Sequence, residues 1–239
     1  MLLDMRSFWR TLDRGSLRDI ALVCLADAIV GASFGAITVS GGLRPWVPIT
    51  MSVFVFAGGA QFAAAGVVLA DGSPAAAVLA GLVLNARLLP YGFTVADTAG
   101  GRWWTRLLGA HLIVDESVAF TLRQHERRRR RVTFWTCGLA LFGCWNVAVV
   151  LGVLAGAVLR NTGSFGLDAA FPTVLLALVL PSLADRGTRN AALAGAVIAV
   201  AATPFLPAGL PVLLALAGLV LAGRPAATVA DTNPVLEAR

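Results

Sequence analysis

Apolar runs separated by short polar stretches predict a series of membrane-spanning helices. A helix needs about 20 residues to cross roughly 30 Å of hydrocarbon. Eight runs approach that length: Ile20–Ser40, Ile49–Ala70, Ala75–Val95, Leu107–Leu122, Val132–Leu159, Ala169–Ala184, Ala191–Phe205 and Ala208–Ala222. The last three are short and contain or border on prolines, which predicts half-helices or one broken hairpin there. We therefore expect an all-α polytopic integral membrane protein with seven or eight transmembrane helices.

The two ends of the chain are more polar than its middle. Residues 1–19 predict a short amphipathic helix on the cytoplasmic membrane face, because apolar and arginine side chains occupy opposite sides at helical spacing. Residues 20–222 form the predicted transmembrane domain, and residues 223–239 form a short tail. LADG at Leu69–Gly72 and LADRG at Leu183–Gly187 lie 114 residues apart, which predicts a weak parallel internal repeat.

Composition and charge support the membrane assignment. Of the 239 residues, 58% are hydrophobic and only 13% are charged, about half the charged share of a soluble domain. All 19 basic residues are arginines, and most lie at the ends of apolar runs. That distribution follows the positive-inside rule and argues against a nucleic-acid partner. Arginines near the N-terminus and the run Arg127–Arg131 both indicate the cytoplasmic side, and the four predicted spans between them agree.

Few features of the chain indicate other chemistry. The run Arg127–Arg131 also fits an anionic-lipid site, but a topology anchor explains it without a ligand. The three cysteines lie in apolar runs without CxxC spacing, so neither a disulfide nor a metal site is predicted. The HExxH, GxSxG and P-loop motifs do not occur. We expect no enzymatic activity and no cofactor.

Polar side chains inside the apolar runs are costly, and each is a candidate functional group. Gln61 lies in FAGGAQFAAAG, beside Gly58 and Gly59. These glycines permit the helix to unwind and offer bare peptide groups to a substrate that carries an ammonium and a carboxylate. Equally, they fit a small-residue packing seam in which Gln61 forms an interhelical hydrogen bond.

Asn85 and Arg87 lie in the third run. Arg87 either extends to the membrane surface or pairs with a buried acid. We favour pairing, as a gate or as a clamp for a substrate carboxylate, because three acids would otherwise be uncompensated. The candidate acids are Asp27, Asp115 and Glu116.

The fourth run carries His111 one helical turn before Asp115. On a continuous helix both side chains lie on one face, whereas Glu116 points about 100° away. A histidine changes charge near neutral pH, so His111, Asp115, Glu116 and Asp27 are the candidate ion-coupling residues. The alternative is an amphipathic segment in which Glu116 faces water.

Four motifs in order resemble those of the AzlC-type permeases, the large subunits of bacterial branched-chain amino acid exporters. They are FAGGAQFAAAG, NARLLPYG, VDESVAF and GLDAAFPTVLLALVLPSL. The resemblance implies ion-driven export of leucine, isoleucine and valine across the inner membrane, with a small AzlD-type subunit as partner. The family's polar positions match Gln61, Asn85, Arg87, Asp115, Glu116 and Asp168.

The resemblance yields a candidate substrate site. Gly58, Gly59, Gln61, Asn85 and Arg87 would hold the charged ends of an amino acid. Nearby Phe54, Phe56 and Phe62 would receive its side chain. This chain departs from the family pattern at Ser33, where a proline is common, and at Leu88, where a histidine is common. The alternatives are another small apolar cargo, a non-transporting scaffold and, with little support, an ion channel.

Overall fold

The computed structural model describes residues 12–159, 176, 180–206 and 210–221, and over these residues the chain forms helices joined by turns. This confirms the predicted all-α fold. The chain divides into two compact units, the first ending at Leu175 and the second beginning at Leu176. The start of the predicted amphipathic segment, the predicted tail, Asp168 and most of the predicted sixth span lie outside the described residues.

Two long helices dominate the first unit. α1 (Arg14–Ser40) has 27 residues and α8 (Arg127–Leu159) has 33, so both can cross a membrane. The Asp13 carboxylate caps α1 by accepting a hydrogen bond from the Ser16 N–H (3.1 Å), and hydrogen bonds from Ser16 hold the pKa of Asp13 below its usual range. We call the end of the unit that holds Arg14 and Arg127 the basic end.

α1 and α8 pack closely in a parallel arrangement. A Cβ atom on Gly35 would overlap the carbonyl oxygen of Val149, and one on Gly156 would overlap that of Ala36. Helix backbones approach this closely only where residues are small. Gly35 and Val149 are also 114 residues apart, the offset of the predicted repeat. Residues later in α1 contact residues later in α8, so the two helices run in the same direction. Both helices therefore begin at the basic end.

Replacing Gly152 by alanine should destabilise the protein, because the new methyl group would overlap the carbonyl oxygen of Ala32 on α1. Overpacking of this kind typically costs about 1–3 kcal/mol. The control is Gly143→Ala in the same helix, where an added methyl group meets no atom within 4 Å. Thermal unfolding in detergent should show a lower midpoint for Gly152→Ala only. Equal midpoints would contradict the close approach of α1 and α8.

The predicted second span doubles back instead of crossing. It consists of α2 (Trp46–Phe54) and α3 (Gly58–Leu69), of nine and twelve residues, each too short to cross a bilayer in one piece. The turn between them, residues 55–57, contains Phe56 at a positive φ of 40°. We call residues 46–69 hairpin A. The turn at residues 55–57 is called tip A.

The packing of α3 on α1 fixes its direction. The Phe62 ring packs against Phe34 with centroids 5.1 Å apart. Seven residues further along each helix, a Cβ atom on Gly41 would lie 2.9 Å from the Leu69 side chain. α3 therefore runs beside the last turns of α1, away from the basic end, and finishes at the end where α2 began.

The chain then returns to the basic end through α4 (Pro74–Asn85) and α5 (Leu88–Thr94). Their combined 21 residues form the third segment of crossing length in the first unit. Just beyond α5, Asp97 forms an ion pair with Arg130 of α8 (3.3 Å). This contact places the end of α5 beside the start of α8.

The predicted fourth span also doubles back. It consists of α6 (Trp103–His111) and α7 (Asp115–Leu122), joined at residues 112–114. Only four residues, 123–126, connect α7 to α8, so the end of α7 lies within about 18 Å of the start of α8. Since α8 begins at the basic end, α7 must return there. We call residues 103–122 hairpin B. The turn at residues 112–114 is called tip B.

These paths correct the predicted topology. Three described segments of the first unit have crossing length, and hairpins A and B replace two predicted full spans. The crossing made by α4 and α5 therefore runs in the opposite direction from the predicted one. The arginines at the starts of α1 and α8 still lie on the same side of the membrane. The chain crosses the membrane twice between these two positions instead of the predicted four times, and both numbers are even. Arg102 and Arg106 now lie at the basic end as well, since they follow α5 directly.

The second unit contains shorter elements. They are a 3-10 helix (Leu180–Ala184), α9 (Arg186–Ala202), α10 (Leu210–Leu214) and α11 (Ala217–Leu221). α9 covers most of the predicted seventh span and is capped by Asp185, which accepts a hydrogen bond from the Thr188 N–H (2.7 Å). The predicted eighth span is broken into α10 and α11, and the break falls at residues 215–216, after Pro211. Gly195 packs tightly against Ala215.

Candidate functional site

Tip A, tip B and the break between α4 and α5 lie together inside the first unit. The Arg87 guanidinium, from the break, lies 2.9 Å from the Asp115 carboxylate at the start of α7. The same guanidinium lies 3.8 Å from the position of a Cβ atom on Gly59, in the first turn of α3. Interruptions in three helical segments thus meet around one ion pair.

His111 ties hairpin B to hairpin A. Its Nε2 lies 2.8 Å from the Val53 carbonyl oxygen, which the end of α2 leaves without a helical partner. A carbonyl only accepts hydrogen bonds, so Nε2 carries the proton. The imidazole ring also contacts the rings of Phe56 and Phe142, with centroids 5.9 and 5.6 Å away. These contacts hold the two tips together.

The predicted histidine–carboxylate relay loses its structural basis. It required His111 and Asp115 on one face of a continuous helix, but α6 ends at His111 and α7 begins at Asp115. Tip B redirects the chain between them. His111 therefore bonds to hairpin A, while Asp115 pairs with Arg87.

The predicted pairing of Arg87 with an intramembrane acid is confirmed, and the acid is Asp115. One carboxylate oxygen of Asp115 pairs with Arg87, and the other is buried without a hydrogen-bond partner among the described residues. The first turn of a helix favours a negative charge. The side chains of Arg87 and Asp115 are 57% and 39% exposed. The pair is therefore accessible to a ligand.

Gln61 is fully buried, yet neither its amide oxygen nor its amide nitrogen has a partner within the part of the chain that is described. The predicted packing seam is present, since Gly58 packs against the Trp145 indole. Among the described residues, Gln61 does not form the interhelical hydrogen bond that one of its two interpretations predicted. Gln61 lies one turn after Gly58 on the same face of α3, and its side chain is directed toward the start of that helix.

An aliphatic cavity of about 410 Å³ lies between α2, α3 and α4. The cavity extends from Leu43, near the end of the unit opposite the basic end, to Val55 in tip A and to Asn85. Asn85 is the one polar residue of its lining. The three phenylalanines expected in a side-chain pocket do not line it. Phe62 packs in the core on Phe34, Phe54 is 75% exposed, and Phe56 contacts His111.

The matched family covers this arrangement. The family described as AzlC protein matches residues 22–159. The chain belongs to the AzlC family. The match contains hairpins A and B, the ion pair and α1 from residue 22 onward, so the geometry described above belongs to the family region. AzlC is a transport-associated family of membrane proteins, which identifies this chain as an integral membrane protein.

Similar curated proteins add the same coarse description. Two proteins named "Uncharacterized membrane protein", from Helicobacter pylori strains 26695 and J99, are 25% and 24% identical to this AzlC chain. In both cases the match covers 84% of this chain and 88% of the relative. No solved structure matches this chain.

Two further acids of the AzlC region lie near the ion pair. Asp27 of α1 and Glu116 of α7 are half-buried, and their charges repel each other. Arg87 attracts Glu116 as well as Asp115. The four predicted charged residues Asp27, Arg87, Asp115 and Glu116 therefore form one electrostatic group.

Sequence reasoning missed the polar contact that holds hairpin A against α8. The Ser52 hydroxyl lies 2.7 Å from the Asn146 side-chain oxygen, and the Asn146 amide donates to the Phe142 carbonyl (2.8 Å). Asn146 is a polar residue within the predicted fifth span, but the sequence does not identify its partner. A serine in an apolar run is too common a feature to identify that partner.

Proposed function

We propose that this AzlC-family chain exports branched-chain and similar apolar amino acids across the bacterial inner membrane, as the large subunit of a two-component permease. The observation that carries the proposal is the Arg87–Asp115 ion pair where hairpins A and B meet. Transporter sites commonly form at interrupted helices near the membrane midplane. The family match supports a role in transport.

A zwitterion complements this ion pair. The Arg87 guanidinium matches a carboxylate in charge and geometry. The first-turn N–H groups of α3, which have no helical partner, add donors near it at Gly59. Asp115 matches the ammonium group. An amino acid placed between the two side chains would replace their mutual contact with two charge-matched contacts.

The aliphatic cavity suits the substrate side chain. It begins beside tip A and offers only Asn85 as a polar group, so a charged or strongly polar side chain would lose hydration there without compensation. Within the aliphatic class, one methylene changes binding by only about 1–3 kcal/mol. We therefore expect leucine, isoleucine and valine to share the site.

Asp115 also supplies a means of coupling to protons. A protonated Asp115 carries no charge to attract the substrate ammonium, so a proton and an amino acid compete for one carboxylate. Competition at a shared group is the basis of exchange, in which inward proton movement drives outward amino acid movement. Asp27 and Glu116 lie within electrostatic range and would adjust this competition.

The basic end is assigned to the cytoplasm by the positive-inside rule, which puts the N-terminus inside. The small AzlD-type subunit is the expected partner. Two alternatives lead to different outcomes: another small apolar cargo on the same scaffold, and a scaffold that organises a partner without transport.

Export can be measured with vesicles preloaded with labelled isoleucine that contain this chain with the small subunit. We expect efflux that falls to the background rate when the proton gradient is collapsed. Competition by leucine and valine, but not by aspartate or lysine, should follow from the aliphatic cavity. Efflux of a different apolar amino acid alone would favour the other cargo. No efflux of any amino acid would favour the scaffold.

A further inference from the structure

Arginines from two separate elements converge on the loop that precedes hairpin B. A Cβ atom on Gly100 would lie 2.9 Å from the Arg131 guanidinium. The Arg106 guanidinium donates a hydrogen bond to the Gly100 carbonyl oxygen (3.3 Å). Arg102, also in this loop, lies over the Trp104 ring at 5.4 Å. We call Arg102, Arg106 and Arg131 the loop arginines.

The loop arginines lack a compensating acid. The described ion pairs use Arg87, Arg129 and Arg130, and the nearby Asp97 is taken by Arg130. No carboxylate of the described residues lies within 4.0 Å of a loop arginine. Arg106 and Arg131 both approach Gly100, and like charges held this close repel each other unless an anion lies between them.

The surroundings of the loop arginines are apolar and exposed. Trp103 and Trp104 are 74% and 43% exposed, and Leu107 and Leu108 follow with 61% and 52%. Tryptophan is enriched where a bilayer meets water, and exposed leucines suit acyl chains. A water-soluble anion would need the charges but would leave these apolar side chains unused.

We propose that the loop arginines bind the phosphate of an anionic phospholipid in the leaflet at the basic end, with its acyl chains against the exposed face of α6. Arg131 and Arg106 hold the phosphate, and the Arg102–Trp104 pair borders it at the interface. The lipid site is separate from the Arg87–Asp115 pair, so the proposed lipid binding does not depend on the proposed export.

Binding can be tested on the purified full-length chain without any transport assay. Phosphatidylglycerol, phosphatidylcholine or inorganic phosphate is added in detergent, and thermal unfolding and native mass spectrometry report stabilisation and the number of bound lipids. We expect phosphatidylglycerol alone to raise the unfolding midpoint and to remain bound. Arg106→Gln combined with Arg131→Gln should weaken its apparent affinity at least about tenfold.

A matched control removes two arginines of the same charge nearby. Arg127 and Arg128 are exposed at the start of α8, and Arg127→Gln with Arg128→Gln should keep most of the lipid effect. Equal losses in the two double variants would overturn the site in favour of a diffuse basic surface. The same stabilisation by inorganic phosphate would overturn the lipid assignment. If the first double variant does not fold, Arg131→Gln alone, measured by bound-lipid count, decides between these outcomes.

Discussion

Replacing Arg87 by glutamine should reduce amino acid efflux at least about 100-fold, because the proposed carboxylate partner loses its charge and its paired donors. Glutamine keeps a hydrogen-bonding side chain of moderate length, so the effect reports the guanidinium charge rather than a missing side chain. The measurement is the initial rate of isoleucine efflux from vesicles, normalised to the amount of folded protein. An efflux rate within a few fold of the parent would remove Arg87 from the site.

A charge-exchanged variant separates a substrate role from a purely structural ion pair. Arg87→Asp combined with Asp115→Arg keeps the attraction between the two positions but moves the positive group to the start of α7. We expect this variant to unfold at a midpoint closer to the parent than either single replacement, while efflux stays near background. Recovery of both stability and efflux would show that the pair only holds the helices together.

Cysteines introduced on the two sides of α4–α5 should react from opposite sides of the membrane. In the hairpin topology, Ala70→Cys lies at the end opposite the basic end and Gly101→Cys lies at the basic end. With full spans at both hairpins these positions would be exchanged. An impermeant maleimide added to intact cells should therefore label Ala70→Cys and leave Gly101→Cys unlabelled until the membrane is opened. In intact cells, we expect nearly complete labelling of Ala70→Cys and almost no labelling of Gly101→Cys.

Two positions on which both topologies agree calibrate the labelling. Arg44→Cys follows α1 and should react from outside, whereas Arg128→Cys should react only from inside. The three native cysteines are first replaced by alanine, since Cys144 is only half-buried. Labelling of Gly101→Cys in intact cells, with both calibration positions as expected, would contradict hairpins A and B.

Much of the fold could be predicted from the sequence because apolar length is a strong signal. The runs located the three segments of crossing length that the described residues contain, and the arginine anchors gave the correct relation between the starts of α1 and α8. Hydropathy could not distinguish a crossing from a hairpin, since both bury apolar side chains. One clue was available: four full spans would place Arg102 and Arg106 outside, against the positive-inside rule.

The turns themselves left little trace in the sequence. Tip A depends on Phe56 in a left-handed conformation, which is rare for a residue with a bulky side chain and has no local signature. Gly58 and Gly59, the glycines of the predicted site, come after this turn and begin α3. The acid partner of Arg87 was predicted as one of three, and only the position of tip B selects Asp115 over Glu116 and Asp27.

The short helices of the hairpins have a consequence for how the proposed exporter would separate the two sides of the membrane. α2 and α6 have nine residues each, a rise of about 13 Å apiece, so together they match roughly one hydrocarbon thickness. In the proposed exporter, α2 and α6 would each close about half of the hydrocarbon thickness, and they meet at the His111–Val53 contact. Movement of one hairpin alone would then change access to the ion pair from one side of the membrane, while α1, α4–α5 and α8 stay in place.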